Sequence, residues 1–241
     1  MRVLIRSAIV AALALAVVAE PAARRAFTTR VDDEFTDTNG TAIGSHTPTP
    51  TSGGSSWVAD DGSAEIQTNG LLVTSTNVVA PFRNTYALGD PATGYKNAVE
   101  VNLANFLGFC GLVILYNFSG GNATGYVFVY SGTDVSFQKW DGSGFARTVI
   151  DTDTETFVST DTVRVEYDPT GDVFTVFKNG TSHDTFTDST YTAAGFGGIL
   201  GYTNAVQLDN YLSEDEAPAA AGSVPGIINN PIRGGFLRRS R

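Results

Sequence analysis

The sequence has little cysteine and little histidine, which removes several kinds of chemistry. Its single cysteine, Cys110, cannot form an intramolecular disulfide. Cys110 lies in the apolar run FLGFCGLVILY, so we expect a buried small hydrophobe rather than a nucleophile. The two histidines, His46 in GSHTP and His183 in TSHDTF, have no partners at the spacing of a zinc site or a Ser-His-Asp triad. We therefore predict that both histidines are solvated loop residues.

Basic residues are scarce in the body of the chain. Residues 31–212 contain 6 Lys and Arg against 21 Asp and Glu, a net charge of −15, whereas the whole chain of 241 residues has −10. Nine of the fifteen basic residues lie in residues 1–30 and 213–241. An acidic body repels nucleic acid and anionic membranes, so no nucleic-acid partner is expected. The tails are either solvated ends or segments drawn to the body, to a neighbouring copy or to another acidic partner.

The chain also lacks an apolar run long enough to cross a bilayer. The opening MRVLIRSAIVAALALAVVAEPAA has two arginines, an apolar run from Ser7 to Ala19 and then small residues. This is the arrangement of a secretory signal with a cut after Ala19 or Ala23. The run falls short of the ~20 residues that a membrane span needs. The alternative to removal is a retained helix that packs against a partner.

Helical spacing is missing after residue 30, and alternating patterns take its place. AEIQTNGLLVTST predicts two short strands around Asn69-Gly70, a type I′ hairpin signal. KNAVEVNLANF alternates, which buries one face, whereas CGLVILYNF is apolar on both faces and predicts a central strand. Roughly a dozen strands at hairpin spacing predict an all-β fold. We expect a two-sheet antiparallel β-sandwich or jelly roll with non-core N- and C-terminal tails.

The last residues change in composition. SEDEAPAAAGSVPG predicts a flexible linker, and it leads to IINNPIRGGFLRRSR, which mixes apolar side chains with four arginines. A solvated linker has no need of those apolar residues, whereas a peptide that lies in a groove of a partner does. The alternative is a disordered end. The residues predicted to make this attachment are Ile228, Ile232, Arg233, Phe236, Arg238 and Arg239.

Three stretches of the chain resemble a known family. DEFTDTNGTAIGSHTPTPTSGGSSW, DTVRVEYDPTGDVFTVFKNGT and GGILGYTNAVQLDNYL resemble the concanavalin A-like and laminin-G-like jelly rolls, especially those of bacterial exported proteins and bacteriophage virion proteins. The resemblance covers about residues 31–212. It implies two sheets of six or seven strands, with ligands on the concave face or at rim loops, sometimes through calcium. It specifies function poorly, because the fold carries lectins, adhesion modules, hydrolases and structural decorations.

One motif bears on catalysis. The glucanase branch of this superfamily uses the strand motif Glu-x-Asp-x-x-Glu, whose end carboxylates share one face and, for retaining chemistry, lie about 5–5.5 Å apart. Glu166 and Asp168 match its first half, but Gly171 stands where the second glutamate would be. We therefore predict that the protein is not an enzyme. Glu166 is then a solvent-facing strand residue, and Asp168 a turn residue that accepts backbone N–H bonds.

We expect no cofactor, and calcium is the alternative. Acids cluster in VDDEFTD, ADDG and IDTDTE, and carboxylates on loops are ligands of calcium. We take Asp151 and Asp153 as the candidates. No run has the spacing of a known calcium loop, and acidic turns are common in acidic proteins. No glycine-rich phosphate loop follows a strand and opens a helix, so nucleotide binding has no support.

A glycan site would need exposed aromatic rings that stack on sugars, with amides that bind the hydroxyls. Trp140 before DGSG, Tyr130 before SG, and Tyr202 with Asn204 in GYTNA are the candidates. The alternative is that these rings fill the core, as most aromatic side chains do.

Two functions fit these observations. The first is a non-enzymatic display module on a particle or cell, such as a phage decoration or an adhesin. It would touch glycans, be fastened to a surface protein by its tails, and form a homo-oligomer or part of a larger assembly. The second is a secreted glycan-binding or glycan-cleaving domain. Both place the protein outside the cell or on a virion. The domains are a signal-like or anchoring segment (1–30), a jelly roll (31–212), and a linker with a basic attachment tail (213–241).

Overall fold

The computed structural model describes residues 27–48, 56–73, 80–106, 109–142, 145–201 and 206–218. The strands within these ranges are β1 (Thr28–Asp33), β2 (Trp57–Ala59), β3 (Ala64–Ile66), β4 (Leu71–Val73), β5 (Ala80–Ala87), β6 (Lys96–Phe106), β7 (Cys110–Ser119), β8 (Asn122–Tyr130), β9 (Asp134–Asp141), β10 (Arg147–Thr154), β11 (Thr162–Asp168), β12 (Val173–Lys178), β13 (Thr181–Thr187), β14 (Phe196–Gly201) and β15 (Val206–Glu216). Two single-turn 3₁₀ helices span Ile43–Ser45 and Pro91–Thr93. None of the described residues forms a helix long and apolar enough to cross a membrane.

Every described strand belongs to one of two antiparallel sheets. Sheet A has the order β13-β12-β11-β6-β15-β4-β3, with β1 also paired to β15. Sheet B has the order β10-β9-β8-β7-β14-β5-β2. The apolar faces of the two sheets pack against each other to form the main core. The predicted all-β sandwich is confirmed.

Sheet A buries only one of its faces, as its alternating sequence predicts. Along β11, Val163, Val165 and Tyr167 point into the core, while Arg164 and Glu166 point to solvent. The register carries this alternation to the next strand, where Val163 and Val165 pair with apolar residues of β6. Each buried valine contributes about 1.5 kcal/mol or more relative to an exposed one. Hydrophobic burial therefore fixes the register of this sheet.

Sheet B is apolar on both faces at its centre. β7 lies between β8 and β14, and its residues from Cys110 to Tyr116 are all buried. The prediction of a central strand for CGLVILYNF is confirmed. Burial raises the pKa of the Cys110 thiol well above its usual range, which agrees with a packing role for this residue.

A β-bulge in β7 decides which side chains face outward. Leu115 has φ +53, and the register of β7 against β8 shifts between Ile114 and Asn117. A Cβ at Gly125 or at Gly195 would lie within 2.6 Å of the Leu115 backbone, so two neighbouring glycines make room for the bulge. Ile114 and Leu115 consequently both reach the core.

The sandwich is longer than the predicted 31–212. β1 begins at Thr28, and β15 runs on to Glu216 through residues that were predicted to be linker. The carboxylate of Asp215 is buried, where it accepts a hydrogen bond from the Gly89 amide (3.0 Å) and pairs with Arg30 (2.7 Å). An acidic strand end was not recognisable from composition, because its partners come from distant parts of the chain.

The first hairpin turns one residue earlier than predicted. Ile66 pairs with Leu71, and the two consecutive residues with positive φ are Thr68 and Asn69 rather than Asn69 and Gly70. A side chain at Gly70 would collide with Gln207, so this glycine serves close packing instead.

Replacing Gly125 tests the bulge. Gly125 has φ +122, and a Cβ there would lie 2.6 Å from the Leu115 carbonyl oxygen. We expect Gly125→Ala to lower the free energy of unfolding by about 2–4 kcal/mol, through backbone strain and steric overlap. Gly132→Ala is the matched control, because a Cβ there has no neighbour within 4 Å. Equal urea midpoints for the two variants would contradict this account of the bulge.

Candidate binding face

The solvent face of sheet A is charged and organised around one arginine. Arg164 Nε donates to Glu166 (2.8 Å), and its Nη1 lies 2.8 Å from Glu214 and 3.4 Å from Glu100. The Glu166 carboxylate is thus an ion-pair partner on a solvent face. This placement confirms that Glu166 is a solvent-facing strand residue.

The predicted role of Asp168 is also confirmed. Its Oδ1 accepts a hydrogen bond from the Thr170 amide (2.8 Å), and its Oδ2 lies 2.7 Å from the Lys96 ammonium. Burial raises the pKa of Asp168, but Lys96 and the Thr170 amide outweigh it and lower the pKa below its usual value. Where the glucanase motif has its second glutamate, this chain forms a tight turn, in which Gly171 has φ +90.

Two of the predicted glycan-binding aromatics are buried. Trp140 and Tyr130 are both 0% exposed. Tyr130 points into the main core, where its ring packs edge-on against Phe157 at 4.8 Å. Trp140 belongs to a second apolar cluster on the other side of sheet B. The prediction that these rings are exposed for stacking was wrong, because each packs against another aromatic ring from a distant part of the chain, Trp140 against Tyr116 and Tyr130 against Phe157.

The remaining predicted binding residues lie outside the described residues. Tyr202 and Asn204 fall in the gap between β14 and β15. The attachment residues also fall outside, and their assignment stays a prediction. They are Ile228, Ile232, Arg233, Phe236, Arg238 and Arg239.

Asp151 and Asp153 lie on β10, the edge strand of sheet B. Asp151 Oδ1 accepts a hydrogen bond from the Thr152 amide (2.8 Å), and Asp153 lies 3.9 Å from Nδ1 of His183. Within the described ranges, no three His, Cys, Asp or Glu side chains are grouped to hold a metal ion. The predicted calcium site therefore has no third ligand there. Charged residues on an edge strand also discourage pairing with another sheet.

The outer face of sheet B, which points away from the core, is unusually apolar. Leu112 and Ile114 point into the core, so Val113 points outward, and its cross-strand partner Val127 shares that side. Seven apolar side chains of this outer face form a buried cluster, and each of them is no more than 9% exposed. They are Val113, Tyr116, Ala123, Val127, Val129, Trp140 and Leu200.

One half of the outer face of sheet B carries four aromatic rings, which we call the aromatic patch. Tyr116 lies against Trp140 with ring centroids 4.9 Å apart, and Phe118 stacks on Phe145 at 5.2 Å. Trp140 pairs in register with Gly125 of β8. The missing side chain at Gly125 leaves room for the backbone of Leu115 and Tyr116 on β7.

The other half contains a groove of about 230 Å³, lined by Phe109, Val129, Gln138, Arg147 and Leu200. Phe109 stands at its edge and is 45% exposed, while Val129 and Leu200 belong to the apolar cluster of this face. Gln138 and Arg147 bring an amide and a guanidinium to the apolar surface. The groove is somewhat smaller than the ~300 Å³ at which pockets for drug-sized ligands begin, so its size suits a single small ring.

A buried ion pair borders this face on β5. Arg83 Nε donates to Asp60 Oδ2 (2.9 Å), and the Arg83 guanidinium lies over the Phe196 ring, 4.9 Å from its centroid. Burial raises the pKa of Asp60, and the attraction of Arg83 offsets only part of this rise. Arg83 therefore keeps its charge paired while it covers apolar surface.

His46 is buried rather than solvated, so its prediction was wrong. Its Nε2 lies 2.9 Å from Asp33 Oδ1, and its Nδ1 lies 3.4 Å from Asp37 Oδ2. Asp33 also accepts hydrogen bonds from Trp57 Nε1 (2.6 Å) and from the Phe35 amide (2.9 Å). His46, Asp33 and Trp57 are far apart in sequence, so the stretch GSHTP alone does not predict that they form hydrogen bonds with one another.

Sequence reasoning missed Phe109, Gln138 and Arg147. The signal was present in GYVFVY of β8, which is apolar at consecutive positions and so requires an apolar surface on both sides of the sheet. Finding the groove also required the strand order, because Phe109, which precedes β7, and strands β8, β9, β10 and β14 together supply its lining.

The comparisons with known proteins agree with this fold. A carbohydrate-binding module, CBM66 from Bacillus subtilis, aligns over 66% of this chain and 94% of its own, with a TM-score of 0.51 and 16% identity. A protein of unknown function with a galectin-like fold, also from Bacillus subtilis, aligns over 78% and 98%, with a TM-score of 0.52 and 10% identity. No protein-family model and no curated protein matches the sequence. At these identities the likeness shows the fold alone.

The buried histidine predicts a pH dependence of stability. Burial by itself lowers the pKa of His46, but Asp33 and then Asp37 raise it above its usual value. A group whose pKa is higher in the folded state stabilises fully below the unfolded pKa, about 6.5, and loses this contribution as the pH rises through the folded value. We therefore expect the wild-type urea midpoint to fall between about pH 6 and pH 9.

Two variants show which histidine causes the dependence of the urea midpoint on pH, which we call the slope. His46→Gln should remove most of it, because the titrating group is gone. His183→Gln is the control: the pKa of His183 is also raised, first by a backbone hydrogen bond and then by Glu155, but this side chain is more exposed, so solvent screening leaves it a smaller part of the slope. If the His46 variant keeps the wild-type slope, the buried pair is not the source of the pH dependence.

Proposed function

We propose that this protein is a non-catalytic carbohydrate-binding module that acts outside the cell or on the surface of a particle. The observation that carries the proposal is the groove on the outer face of sheet B, where an exposed ring, an amide and a guanidinium meet an apolar floor. The site is thus formed by Phe109, Gln138 and Arg147 rather than by the predicted Trp140 and Tyr130.

The groove has the chemistry that a sugar requires. A pyranose presents an apolar face of C–H groups and a rim of hydroxyls. Phe109 offers a ring on which the apolar face can stack, while Gln138 and Arg147 offer donors to the hydroxyls. Val129 and Leu200 keep the floor apolar, which favours a neutral sugar over a small ion.

The fold comparison supports the same class of function. The Bacillus subtilis structure described as a carbohydrate-binding module shares this sandwich at a TM-score above 0.5. A shared fold hosts unrelated functions, so the groove and not the likeness carries the argument. The location rests on the signal-like residues 1–30, and a surface protein that binds the tails would be the partner.

Binding should depend on the groove. We expect a glycan array of the full chain to give specific ligands, and Phe109→Ala and Gln138→Ala each to weaken them about tenfold, equal to about 1.4 kcal/mol. Phe177→Ala is the matched control, because it removes a partly exposed ring from the solvent face of sheet A. Isothermal titration calorimetry gives the affinities, and thermal midpoints show that each variant is folded.

Two results would contradict this site. Unchanged affinity in both groove variants would place the sugar elsewhere, and an equal loss in Phe177→Ala would show a general effect on the fold. A full chain that binds no glycan at all would refute the proposed function.

Catalysis should be missing even when a glycan is bound. Because Glu166 is tied to Arg164 on a solvent face, we expect no release of reducing ends from the bound glycan over a day of incubation. The Glu166→Gln variant is incubated in parallel. Release by the wild type that this substitution abolishes would make the protein an enzyme and overturn its assignment as a binding module.

A further inference from the structure

The floor of the groove sets a condition on the ligand that sugar binding alone does not specify. Its most buried lining side chains are Val129 and Leu200, which are 9% and 1% exposed and carry no polar atom. A hydroxyl placed against them would lose its water without gaining a hydrogen bond, and this loss opposes binding. The part of the ligand that reaches the floor should therefore be a C–H group.

The register of three strands explains why the floor lies low. Val129 of β8 pairs with Gly111 of β7, and Gly111 pairs with Leu200 of β14, so the glycine lies between the two floor residues. A Cβ at Gly111 would lie 3.2 Å from the Leu200 Cβ and 2.8 Å from the Phe128 carbonyl oxygen. Because Gly111 has no side chain, Leu200 packs close to the backbone of β7, and the space above it stays open.

The polar side of the groove is fixed in orientation. Gln138 Nε2 donates a hydrogen bond to the Ser136 hydroxyl (3.0 Å). This bond fixes the amide plane, and it leaves the carbonyl oxygen and one N–H of Gln138 for a ligand. Arg147 brings a guanidinium, which only donates. The groove thus offers an acceptor on Gln138 and donors on Arg147, above a floor that offers neither.

We propose that the ligand of this groove is a sugar that carries an acetamido group, in other words an N-acetylated amino sugar. This inference rests on the proposed carbohydrate-binding function and names its substrate class. An acetamido group holds a methyl, an amide N–H and a carbonyl oxygen in one plane. The methyl matches the apolar floor, the N–H matches the Gln138 carbonyl oxygen, and the carbonyl oxygen matches the Arg147 guanidinium.

The remaining lining residue provides a place for the sugar ring. Phe109 stands at the edge of the groove and is 45% exposed, so a pyranose can stack on it while its acetamido group points to the floor. The groove of about 230 Å³ then holds this substituent and part of the ring. The other hydroxyls stay in water, where their hydration is not lost.

Two other kinds of sugar fit these residues less well. An unmodified hexose would bring a hydroxyl to Val129 and Leu200, where it finds no partner. A uronic acid would pair its carboxylate with Arg147, but it would approach a body whose net charge is −15. Neither of them brings a methyl group to the floor.

Matched sugars test the inference on the unmodified full chain. Methyl glycosides of N-acetylglucosamine and N-acetylgalactosamine are compared by calorimetry with forms that carry an N-formyl group or a hydroxyl in place of the acetamido group. We expect at least one acetamido sugar to bind. Its N-formyl form should bind about tenfold more weakly, because only the methyl is missing, and its hydroxyl form should bind more weakly still.

Saturation-transfer NMR and one pair of variants locate the methyl. We expect the acetyl methyl to receive the strongest saturation of all ligand protons. Val129→Thr should lower the affinity about tenfold, because a hydroxyl then lies under the methyl. Val149→Thr is the matched control, because Val149 pairs with Gln138 on the same outer face but is 56% exposed and does not line the groove. Thermal midpoints show that both variants are folded.

The outcomes separate this inference from the proposed function. If sugars without an acetamido group bind as tightly as those with one, the inference is overturned and the carbohydrate-binding function stands. Equal affinities for the N-acetyl and N-formyl forms, or equal effects of Val129→Thr and Val149→Thr, would also overturn it, because the floor would not hold the methyl. A chain that binds no glycan refutes the proposed function and this inference with it.

Discussion

Sheet B has to bury both of its faces, and most of the arrangement of this protein follows from that constraint. Its central strands β7 and β8 alternate between side chains that enter the main core, such as Leu112, and apolar side chains that face away, such as Val113 and Val127. Each Å² of apolar surface that stays in water costs the fold about 25 cal/mol, so an uncovered apolar face on sheet B would lower the free energy of unfolding. Sheet A needs to bury only one of its faces, because its other face is charged and solvated.

The bulge at Leu115 links this constraint to the candidate site. Without it, Leu115 would point outward by simple alternation, and Tyr116 would point into the core. The positive φ at Leu115 instead sends Leu115 inward and Tyr116 to the outer face, beside Trp140. Two glycines, Gly125 on β8 and Gly195 just before β14, make that backbone conformation possible. A local strain in one strand thereby creates the aromatic half of the outer face.

Sequence patterns predicted the features that depend on neighbours in sequence. The both-sided apolar character of β7 and the turn role of Asp168 follow from alternation and from turn chemistry, and both are confirmed. The failures share a different cause. His46 is buried because Asp33 and Trp57 meet it from elsewhere in the chain, and Trp140 is buried in a cluster with Tyr116, which comes from β7. Such contacts depend on strand order, which a single sequence does not reveal.

The outer faces of the two sheets differ in their chemistry: the outer face of sheet A is charged, and that of sheet B is apolar. Sheet A places Glu100, Glu166 and Glu214 around Arg164, so one cation offsets part of the charge of three carboxylates and the face stays acidic. Burial raises the pKa of Glu100 above its usual value, and the attraction of Arg164 offsets only part of this rise. A surface of this kind stays hydrated and repels other acidic molecules. Under the proposed function, recognition of a neutral ligand falls to sheet B, where the groove and the aromatic patch lie side by side on the same outer face.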